Sequence, residues 1–237
     1  LVNEVFARVA PRYDLMNALM TVGQHQSWRR AAAIELVRPG DRIVDVGSGT
    51  GALALACLDV GARSVLGIDF AGPMLERARL KALEAAGDGP RRASFALGDA
   101  TRLPLANESV DGWCAAFVVR NIPDLDAALA EAYRVLRPGG RLAILEIPRI
   151  GPSPLRPAIR LHFRHVVPAL GRLVSGHASA YRYLLVSVDH FLEPPELTRK
   201  LRGAGFAVRH VELFMLDTVA LHTKSSVATS TARLRRR

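Results

Sequence analysis

Cysteine is scarce in this chain, which has 237 residues and only two cysteines, Cys57 and Cys114. Each lies in an apolar segment, and their separation matches no common metal-ligand spacing. The sequence therefore gives no indication of a metal centre or of a disulfide framework. Two buried, reduced thiols are typical of cytoplasmic proteins, so we expect a cytoplasmic location.

Long apolar runs are absent as well. No run reaches the roughly 20 residues that a membrane-spanning helix needs. No charged-then-apolar segment opens the sequence, so we expect no targeting leader. Hydrophobic residues make up 49% of the chain and charged residues 23%, which is ordinary for a globular protein. A chain of this length buries one sizeable core, so we expect one large domain.

Aromatic residues are few, at 6% of the chain, whereas 32 Lys and Arg against 22 Asp and Glu give a net charge of +10. Part of the excess lies in the arginines of residues 227–237, which we expect to form a disordered basic tail. A basic surface suits nucleic acid or an anionic membrane. We expect no nucleic-acid partner, because the sequence has neither a recognisable binding module nor an aromatic stacking platform.

The most informative stretch is a glycine-rich turn. An apolar, strand-like run ends at Gly47, glycine recurs at Gly49 and Gly51, and an Ala/Leu-rich helical run follows. Glycines let the backbone turn sharply and approach a ligand, and the amides at the start of the helix favour anionic or polar groups. The turn therefore predicts a nucleotide-type pocket.

Two kinds of pocket share this pattern. With Ala52 in the last place, the loop fits the G-x-G-x-x-[GA] fingerprint of dinucleotide-binding domains. With Asp45 in the first place, it fits D-x-G-x-G-x-G, the first motif of class I methyltransferases that use S-adenosylmethionine (SAM). In either case Asp69, which closes the next apolar run, is a candidate to accept hydrogen bonds from ribose hydroxyls.

Strand-like and helix-like segments alternate along most of the chain after a helical start. This alternation predicts an α/β fold with a doubly wound, mostly parallel sheet. Two final strand-like runs, 207–214 and 218–222, are close enough in sequence to form an antiparallel pair at the sheet edge. The predicted intermediate strands are 94–97, 113–119 and 142–147, and the predicted helices are 73–86, 124–136 and 195–204.

Four stretches, one of them the glycine loop, together carry more information than the loop alone. They are FARVAPRYDLMN at 6–17 running on to WRR at 28–30, the loop at 45–51, VRN at 119–121 with YRVLRPGG at 133–140, and YRYL at 181–184 with AGF at 204–206 and ALH at 220–222. Together they resemble the C-methyltransferases of ubiquinone and menaquinone biosynthesis (UbiE/MenG type) over nearly the whole chain. The Y-D-x-x-N opening, the Arg-Asn pair and Y-R-Y-L carry most of the specificity.

The resemblance implies one Rossmann-like domain. A seven-stranded, mostly parallel sheet with an antiparallel edge strand would form residues 1–226, with N-terminal helices at 1–38 and a helical substrate cap at 148–190. The implied reaction is methyl transfer from SAM to a ring carbon of a prenylated quinol.

The resemblance also assigns the SAM site by position. Asp45 would hold the loop, and Asp69 would bind the ribose. The other implied cofactor contacts are Gly47, Gly49, Thr50 and Gly51 at the methionine end, Asp99 and Ala100 at the adenine edge, and Ala116. Ala116 replaces a serine that is usual in the family, so one cofactor hydrogen bond is expected to be missing.

Three residues are the implied catalytic set. Arg120 would favour a quinol phenolate by its charge, because arginine is protonated at ordinary pH and is a poor base. Asn121 would orient a ring oxygen, and Tyr13 is the candidate for a hydroxyl contact. Departures from the family pattern at Leu192 and at 216–219 leave open whether the acceptor is a naphthoquinol or a benzoquinol.

Other functions remain as alternatives. A SAM methyltransferase of another small or lipidic acceptor shares the fold, but an amine acceptor would not need the Arg-Asn pair. A nicotinamide-dependent oxidoreductase would need a Tyr-Lys or similar constellation, and the only lysines are Lys81, Lys200 and Lys224. A nucleic-acid methyltransferase would need a base-binding motif that the sequence lacks.

The basic face of the predicted cap has two interpretations. Arg156, Arg160 and Arg164 share one side of a helical pattern, and such charges are usually solvated. Because a prenylated quinol resides in the bilayer, the same face could rest on anionic headgroups at the inner face of the membrane. A homodimer is compatible with the sequence.

Overall fold

The computed structural model describes residues 13–21, 23–90, 92–149, 151, 161, 165 and 186–224. The predicted tail at 227–237, the arginine face of the predicted cap and most of the segment 148–190 lie outside the described residues. The first twelve residues of the predicted N-terminal helices lie outside them too.

Strands and helices alternate from residue 42 to residue 146, as the sequence predicts. The strands are β1 (Arg42–Val46), β2 (Ser64–Asp69), β3 (Ala93–Leu97), β4 (Val110–Ala116), β5 (Leu136–Glu146), β6 (His210–Phe214) and β7 (Val219–Lys224). The helices are α1 (Tyr13–Met20), α2 (Gln24–Leu36), α3 (Ala52–Asp59), α4 (Gly72–Ala86), α5 (Leu125–Val135) and α6 (Pro194–Gly203). A 3₁₀ turn (Val119–Asn121) follows β4, and residues 186–189 are helical.

All seven strands form one sheet in the order β3-β2-β1-β4-β5-β7-β6. β1 to β5 pair in parallel, and β7 is antiparallel to both of its neighbours, β5 and β6. The prediction of a seven-stranded, mostly parallel sheet with an antiparallel edge is confirmed. Because β1 to β5 run the same way, their carboxyl ends meet at one side, called here the carboxyl edge.

Helices cover both faces of the sheet, which explains why the central strands are apolar on both sides. One core joins the sheet to α2, α3 and α4 through residues such as Trp28, Leu53 and Leu75. The other joins it to α5 and α6 through Leu129 and Leu201. Among the helices of the described residues, none is long and apolar enough to cross a bilayer.

Four predicted strand boundaries are wrong by three residues or more. The fourth strand begins at Val110 and not at residue 113, and the strand predicted from residue 207 begins at His210. The fourth strand ends at Ala116 and not at residue 119, because Phe117 takes a left-handed φ of 60° and the chain then turns. The fifth strand begins at Leu136, directly after α5, since Leu136 already pairs with Val110. The register then shifts over the Pro-Gly-Gly run before pairing resumes at Arg141.

Candidate active site

The predicted cofactor-binding residues gather at the carboxyl edge of the sheet. The glycine loop follows β1, and Asp69 ends β2. Asp99 follows β3, and Ala116 ends β4. Open parallel sheets bind their ligands at this edge. The fold therefore brings residues from four strands to the place where a ligand is expected.

The glycine loop is held against the end of β2. The amides of Gly47 and Ser48 both donate to the carbonyl oxygen of Ile68, at 2.7 and 3.1 Å. Gly47 has φ +66°, and a Cβ there would lie 2.3 Å from Cγ2 of Val118, so only glycine fits. At Gly49 a Cβ would meet nothing within 4 Å, so this part of the loop is open to a ligand.

Asp69 uses both carboxylate oxygens within the protein. Oδ2 accepts from the amide of Gly49 at 2.8 Å, and Oδ1 accepts from the amide of Ala71 at 2.9 Å. Burial raises the pKa of Asp69 above its usual value, while these amides oppose the shift. Carboxylate oxygens can accept more than one hydrogen bond, so the predicted ribose contact is compatible with both bonds.

Asp45 is the least satisfied carboxylate of the edge. It is 1% exposed, and its Oδ2 has no hydrogen-bond partner among the described residues. Its Oδ1 has a weak contact with the thiol of Cys114 at 3.8 Å. Burial raises the pKa of Asp45 to about 7, although the charge of nearby Arg29 opposes the shift. The predicted loop-holding role of Asp45 stays a prediction.

Thr50 connects the loop to α1. Its Oγ1 donates to Oδ1 of Asp14 at 2.8 Å, and Lys81 of α4 forms an ion pair with Oδ2 of Asp14. Gly51, with φ +78°, then precedes the first turn of α3. Tyr13, a predicted catalytic residue, is adjacent to Asp14 at the start of α1, so its backbone lies at this edge. Its contact with substrate stays a prediction.

Asp99 and Ala100 form a tight turn beside Asp69. The amide of Gly98 donates to the carbonyl oxygen of Asp69 at 3.1 Å, which brings the turn next to the end of β2. Oδ1 of Asp99 accepts from the amide and the hydroxyl of Thr101, both at 2.8 Å. These bonds lower the pKa of Asp99. The carboxylate of Asp99 is exposed and Ala100 is half-buried, and their contact with adenine stays a prediction.

The chain turns sharply after β4. Ala116 is the last paired residue of the strand and is half-buried, and its methyl group offers no hydrogen bond to a cofactor. Phe117 follows with φ +60°, and the guanidinium carbon of Arg29 lies 5.1 Å from the centre of its ring. Left-handed conformations of bulky residues are costly and are concentrated at functional sites. Here the turn directs the Arg120–Asn121 pair along the carboxyl edge.

Glu146, the last residue of β5, holds Arg120. Nη1 of Arg120 forms an ion pair with Oε1 of Glu146, and the side chains are 6% and 1% exposed. Nε of Arg120 donates to Oγ of Ser187 at 3.2 Å. The amide of Asn121 donates to the carbonyl oxygen of Val118 at 2.8 Å and closes the turn. The predicted catalytic arginine is therefore fixed in place by two other parts of the chain.

The sequence analysis did not predict three residues that lie at this edge, namely Asp14, Lys81 and Glu146. Glu146 had a usable signal, because it is an acid that ends an apolar strand, as Asp69 does. Asp14 is part of the Y-D-x-x-N stretch. Lys81 had no signal, since it pairs with a residue 67 positions away in sequence.

A separate groove of about 380 Å³ lies elsewhere on the molecule. Among the described residues, those that line the groove come mainly from α3, α4 and β3 and include Leu55, Leu58, Leu83 and Phe95. None of the predicted site residues lines it. The groove is therefore distinct from the site at the carboxyl edge.

A comparison with protein families decides between the two interpretations of the glycine loop. Residues 1–226 match the model of the ubiE/COQ5 methyltransferase family. The chain belongs to this family. The methyltransferase therefore uses SAM as its methyl donor, and the dinucleotide alternative is wrong.

Relatives of the methyltransferase extend over most of its length. It is 43% identical to the demethylmenaquinone methyltransferase of Deinococcus radiodurans over 213 residues, which cover 88% of this chain and 86% of the relative. A protein of the same name from Thermus thermophilus is 43% identical and covers 92% of this chain and 98% of its own. The ubiquinone/menaquinone biosynthesis C-methyltransferase UbiE of Desulfotalea psychrophila is 36% identical, with 93% and 88% covered.

Solved structures share the fold. A SAM-dependent methyltransferase of Mesorhizobium loti matches with a TM-score of 0.57 at 23% identity, covering 84% of this chain and 96% of its own. The [4+2]-cyclase SpnF matches with a TM-score of 0.66 at 20% identity, covering 86% and 82%. Since a cyclase is among them, these matches support the fold and not the reaction.

The carboxyl edge of the methyltransferase fits SAM. SAM carries a positive sulfonium and a positive amino group, and three carboxylates, Asp45, Asp69 and Asp99, lie at or just beyond the carboxyl ends of the neighbouring strands β1, β2 and β3. Two buried polar atoms, Oδ2 of Asp45 and Oγ of Ser48, have no hydrogen-bond partner among the described residues. The space above Gly49 completes a polar, acidic cradle. The part that each residue plays in binding stays a prediction.

Proposed function

We propose that this methyltransferase methylates a ring carbon of a prenylated quinol, with demethylmenaquinol as the first candidate. Two relatives at 43% identity are named for that reaction. The benzoquinol of the ubiquinone pathway is the second candidate, because a relative named UbiE is 36% identical. The observation that carries the proposal is the buried Arg120–Glu146 pair, next to the turn that packs on the glycine loop.

The acceptor must be an electron-rich ring. A quinol ring carbon is a much better methyl acceptor once a hydroxyl group has lost its proton, so the protein has to favour the phenolate. SAM, when bound, supplies the methyl group as an electrophile. The protein supplies the position of the ring and the groups around its oxygen, which can account for much of a rate enhancement.

Arg120 is suited to favour the phenolate. Two of its side-chain nitrogens are engaged by Glu146 and Ser187, and Nη2 has no hydrogen-bond partner among the described residues. We assign Nη2 as the donor to the quinol oxygen, where a charge-assisted hydrogen bond lowers the pKa of the hydroxyl. A water molecule takes the hydroxyl proton, since arginine is a poor base. Once the methyl group has moved from the sulfonium sulfur to the ring carbon, that carbon loses its own hydrogen as a proton to water and the ring oxygen regains one, which restores the aromatic quinol. Asn121 and Tyr13 orient the ring oxygens in this proposal.

The cofactor contacts follow the order of the strands. Asp69 accepts from the ribose hydroxyls, and Asp99 with Ala100 lies at the adenine edge. Thr50 with Gly47, Gly49 and Gly51 lies at the methionine end, close to Asp45. Support for these assignments is the arrangement of the residues along one sheet edge.

Methyl transfer from labelled SAM tests the proposal. Reduced demethylmenaquinol and a reduced demethylubiquinol analogue are compared as acceptors, and we expect label in the first. Arg120→Gln should lower the rate at least 100-fold while SAM binding remains. Arg141→Gln is the matched control, because Arg141 also forms a largely buried ion pair, with Asp41, near the start of β1.

Label in neither quinol, with SAM bound, would move the function to another small or lipidic acceptor. That alternative includes a phospholipid amine, which needs no phenolate and therefore no Arg120. A phenolic acceptor outside quinone biosynthesis would still depend on Arg120. The effect of Arg120→Gln on whichever acceptor is labelled thus separates the two.

We also propose that residues 148–190 form a substrate cap whose basic face contacts anionic lipid at the inner face of the membrane. The sequence supports this with Arg156, Arg160 and Arg164 at helical spacing. Sedimentation with vesicles should increase with the fraction of anionic lipid and decrease with salt. Equal sedimentation with neutral and anionic vesicles would overturn the proposal.

A further inference from the structure

We infer that Glu146 is a positioning residue for methyl transfer: it acts through Arg120, whose guanidinium it orients and whose charge it compensates. This inference rests on the function proposed above, in which Nη2 of Arg120 donates to the acceptor oxygen.

Glu146 contacts both the side chain and the backbone of Arg120. Its Oε1 pairs with Nη1 and also accepts from the amide of Ile147 at 2.8 Å. Its Oε2 accepts from the amide of Arg120 at 3.3 Å. One carboxylate therefore holds the guanidinium and the backbone from which that side chain starts.

Arg120 needs this support because of where it lies. Its turn (Val119–Asn121) is only three residues long, and a long, flexible side chain is not oriented by so short an element. Glu146 belongs to β5, which pairs with β4 on one side and β7 on the other. Through its ion pair with Glu146, the guanidinium is therefore anchored to a strand that is held on both sides by the sheet.

The burial of the pair makes the charge of Glu146 necessary. A guanidinium that is 6% exposed would be very unfavourable alone, and arginine cannot lose its proton to avoid the cost. With Glu146, the pair has no net charge. Its attraction for a phenolate therefore depends on the direction of the Nη2 donors, and a small displacement should reduce kcat.

Ser187 adds a third point of support. Its Oγ accepts from Nε of Arg120 at 3.2 Å, and it lies in the helical residues 186–189, just before Phe191 of the second core. Glu146 and Ser187 thus hold the guanidinium on two of its nitrogens. Glu146 is the more important of the two, because it alone brings the compensating charge.

The kinetic test compares Glu146→Asp, Glu146→Gln and Arg120→Gln with the double variant Arg120→Gln/Glu146→Gln. Glu146→Asp keeps the charge, and therefore the fold, but withdraws the carboxylate by one methylene. We expect kcat to fall at least 10-fold in Glu146→Asp and about 100-fold in Glu146→Gln, with the Kd for SAM within twofold of wild type. Asp41→Asn is the control, because Asp41 also pairs with an arginine, Arg141, outside the carboxyl edge.

The double variant separates positioning from a purely structural role. If Glu146 acts through Arg120, then Glu146→Gln has no further effect on kcat once Arg120 is glutamine. If the pair only stabilises the fold, the two effects on kcat multiply or are both absent. Wild-type kcat in folded Glu146→Asp, or multiplied losses in the double variant, would overturn the inference.

A measurement without substrate keeps the inference independent of the proposed acceptor. In ¹⁵N-labelled protein, the Nε–H of a rigid, buried Arg120 should give a slowly exchanging resonance, identified by its loss in Arg120→Gln. We expect that resonance to broaden or exchange at least 10-fold faster in Glu146→Asp but not in Asp41→Asn. An unchanged resonance would overturn the inference, whereas failure of wild type to methylate either quinol would overturn only the proposed function.

Discussion

Two buried carboxylates at the carboxyl edge, Asp45 in β1 and Glu146 in β5, are satisfied in opposite ways. Each is 1% exposed. Glu146 accepts from Arg120 and from two backbone amides, whereas Oδ2 of Asp45 has no hydrogen-bond partner among the described residues. In the half of the site proposed to bind the methyl acceptor, around Arg120, the buried charges are thus compensated within the protein. In the cofactor half, Asp45 becomes negatively charged only as the pH rises through about 7, and a cationic ligand can compensate that charge.

The comparison predicts that removing the charge of Glu146 lowers the free energy of unfolding. Glu146→Gln leaves a buried arginine uncompensated and should lower the free energy of unfolding by about 3–5 kcal/mol. Arg120→Gln should cost less, because a carboxylic acid left alone can take up a proton while an arginine cannot lose one. Urea unfolding at pH 7.5 measures both, and equal stability of Glu146→Gln and wild type would break the comparison.

Asp45 should make the protein less stable as the pH rises. Its folded-state pKa is raised to about 7, above the ordinary carboxyl value, so the folded state binds more protons than the unfolded state between these values. The stability associated with neutral Asp45 is therefore lost as the pH rises through 7. Between pH 5 and pH 8 the stability of wild type relative to Asp45→Asn should fall by about 2–3 kcal/mol.

For Asp45, the quantity to measure is the difference in the free energy of unfolding between wild type and Asp45→Asn. Other groups titrate over the same range, among them His25, whose pKa is lowered to about 4 by burial. Their contributions are common to wild type and Asp45→Asn and cancel in the difference. Parallel pH profiles for the two proteins would show that Asp45 is already compensated and is not the counterpart of Glu146.

Substitution of Asp14 tests how much the contact between α1 and the glycine loop contributes to SAM binding. Asp14→Ala removes the acceptor of the Thr50 hydroxyl, and we expect the Kd for SAM to rise about fivefold, the effect of one hydrogen bond of about 1 kcal/mol. Lys81→Met removes only a partly exposed ion pair and should change the Kd less than twofold. Titration calorimetry measures both, and a larger effect for Lys81→Met would reverse the assignment.

The smallest effect is expected for a carboxylate outside the site. Asp124 is exposed and caps α5 by accepting from the amide of Ala127 at 2.9 Å. Asp124→Ala should lower the free energy of unfolding by about 1 kcal/mol, the usual worth of a helix cap. It should leave SAM binding and methyl transfer unchanged, and a change in either would show that stability alone alters the site.

Much of the fold can be predicted from sequence because β1, β2, β3 and β5 contain apolar runs that end at or just before a glycine or an acidic residue. The order of elements, the glycine loop and Asp69 all follow from such local signals. The end of β4 does not, because the run Phe117–Val118–Val119 reads as a strand, while Phe117 takes a left-handed φ of 60°. The early start of β5 was missed because proline and glycine normally end pairing, and here they form a bulge.

The site was predicted in part. Motif and strand position identify the glycine loop and the Arg120–Asn121 pair, since both follow apolar runs. The partners of these residues lie far away in sequence: Asp14 is 36 positions from Thr50, and Glu146 is 26 positions from Arg120. No local pattern joins such pairs, because a hydrogen bond between distant side chains depends on the packing of whole elements.

The sequence alone determined the alternation of elements, the place of the cofactor loop and the family, because these depend on local spacing and on residues that the backbone itself requires. Tertiary structure decided which buried charged groups have a partner. Burial and parallel pairing bring Glu146 against Arg120, and they leave Oδ2 of Asp45 without a hydrogen bond from any residue that the structure describes. The energy of a charge depends on its surroundings in three dimensions, and those surroundings are contributed by strands that only the folded sheet brings together.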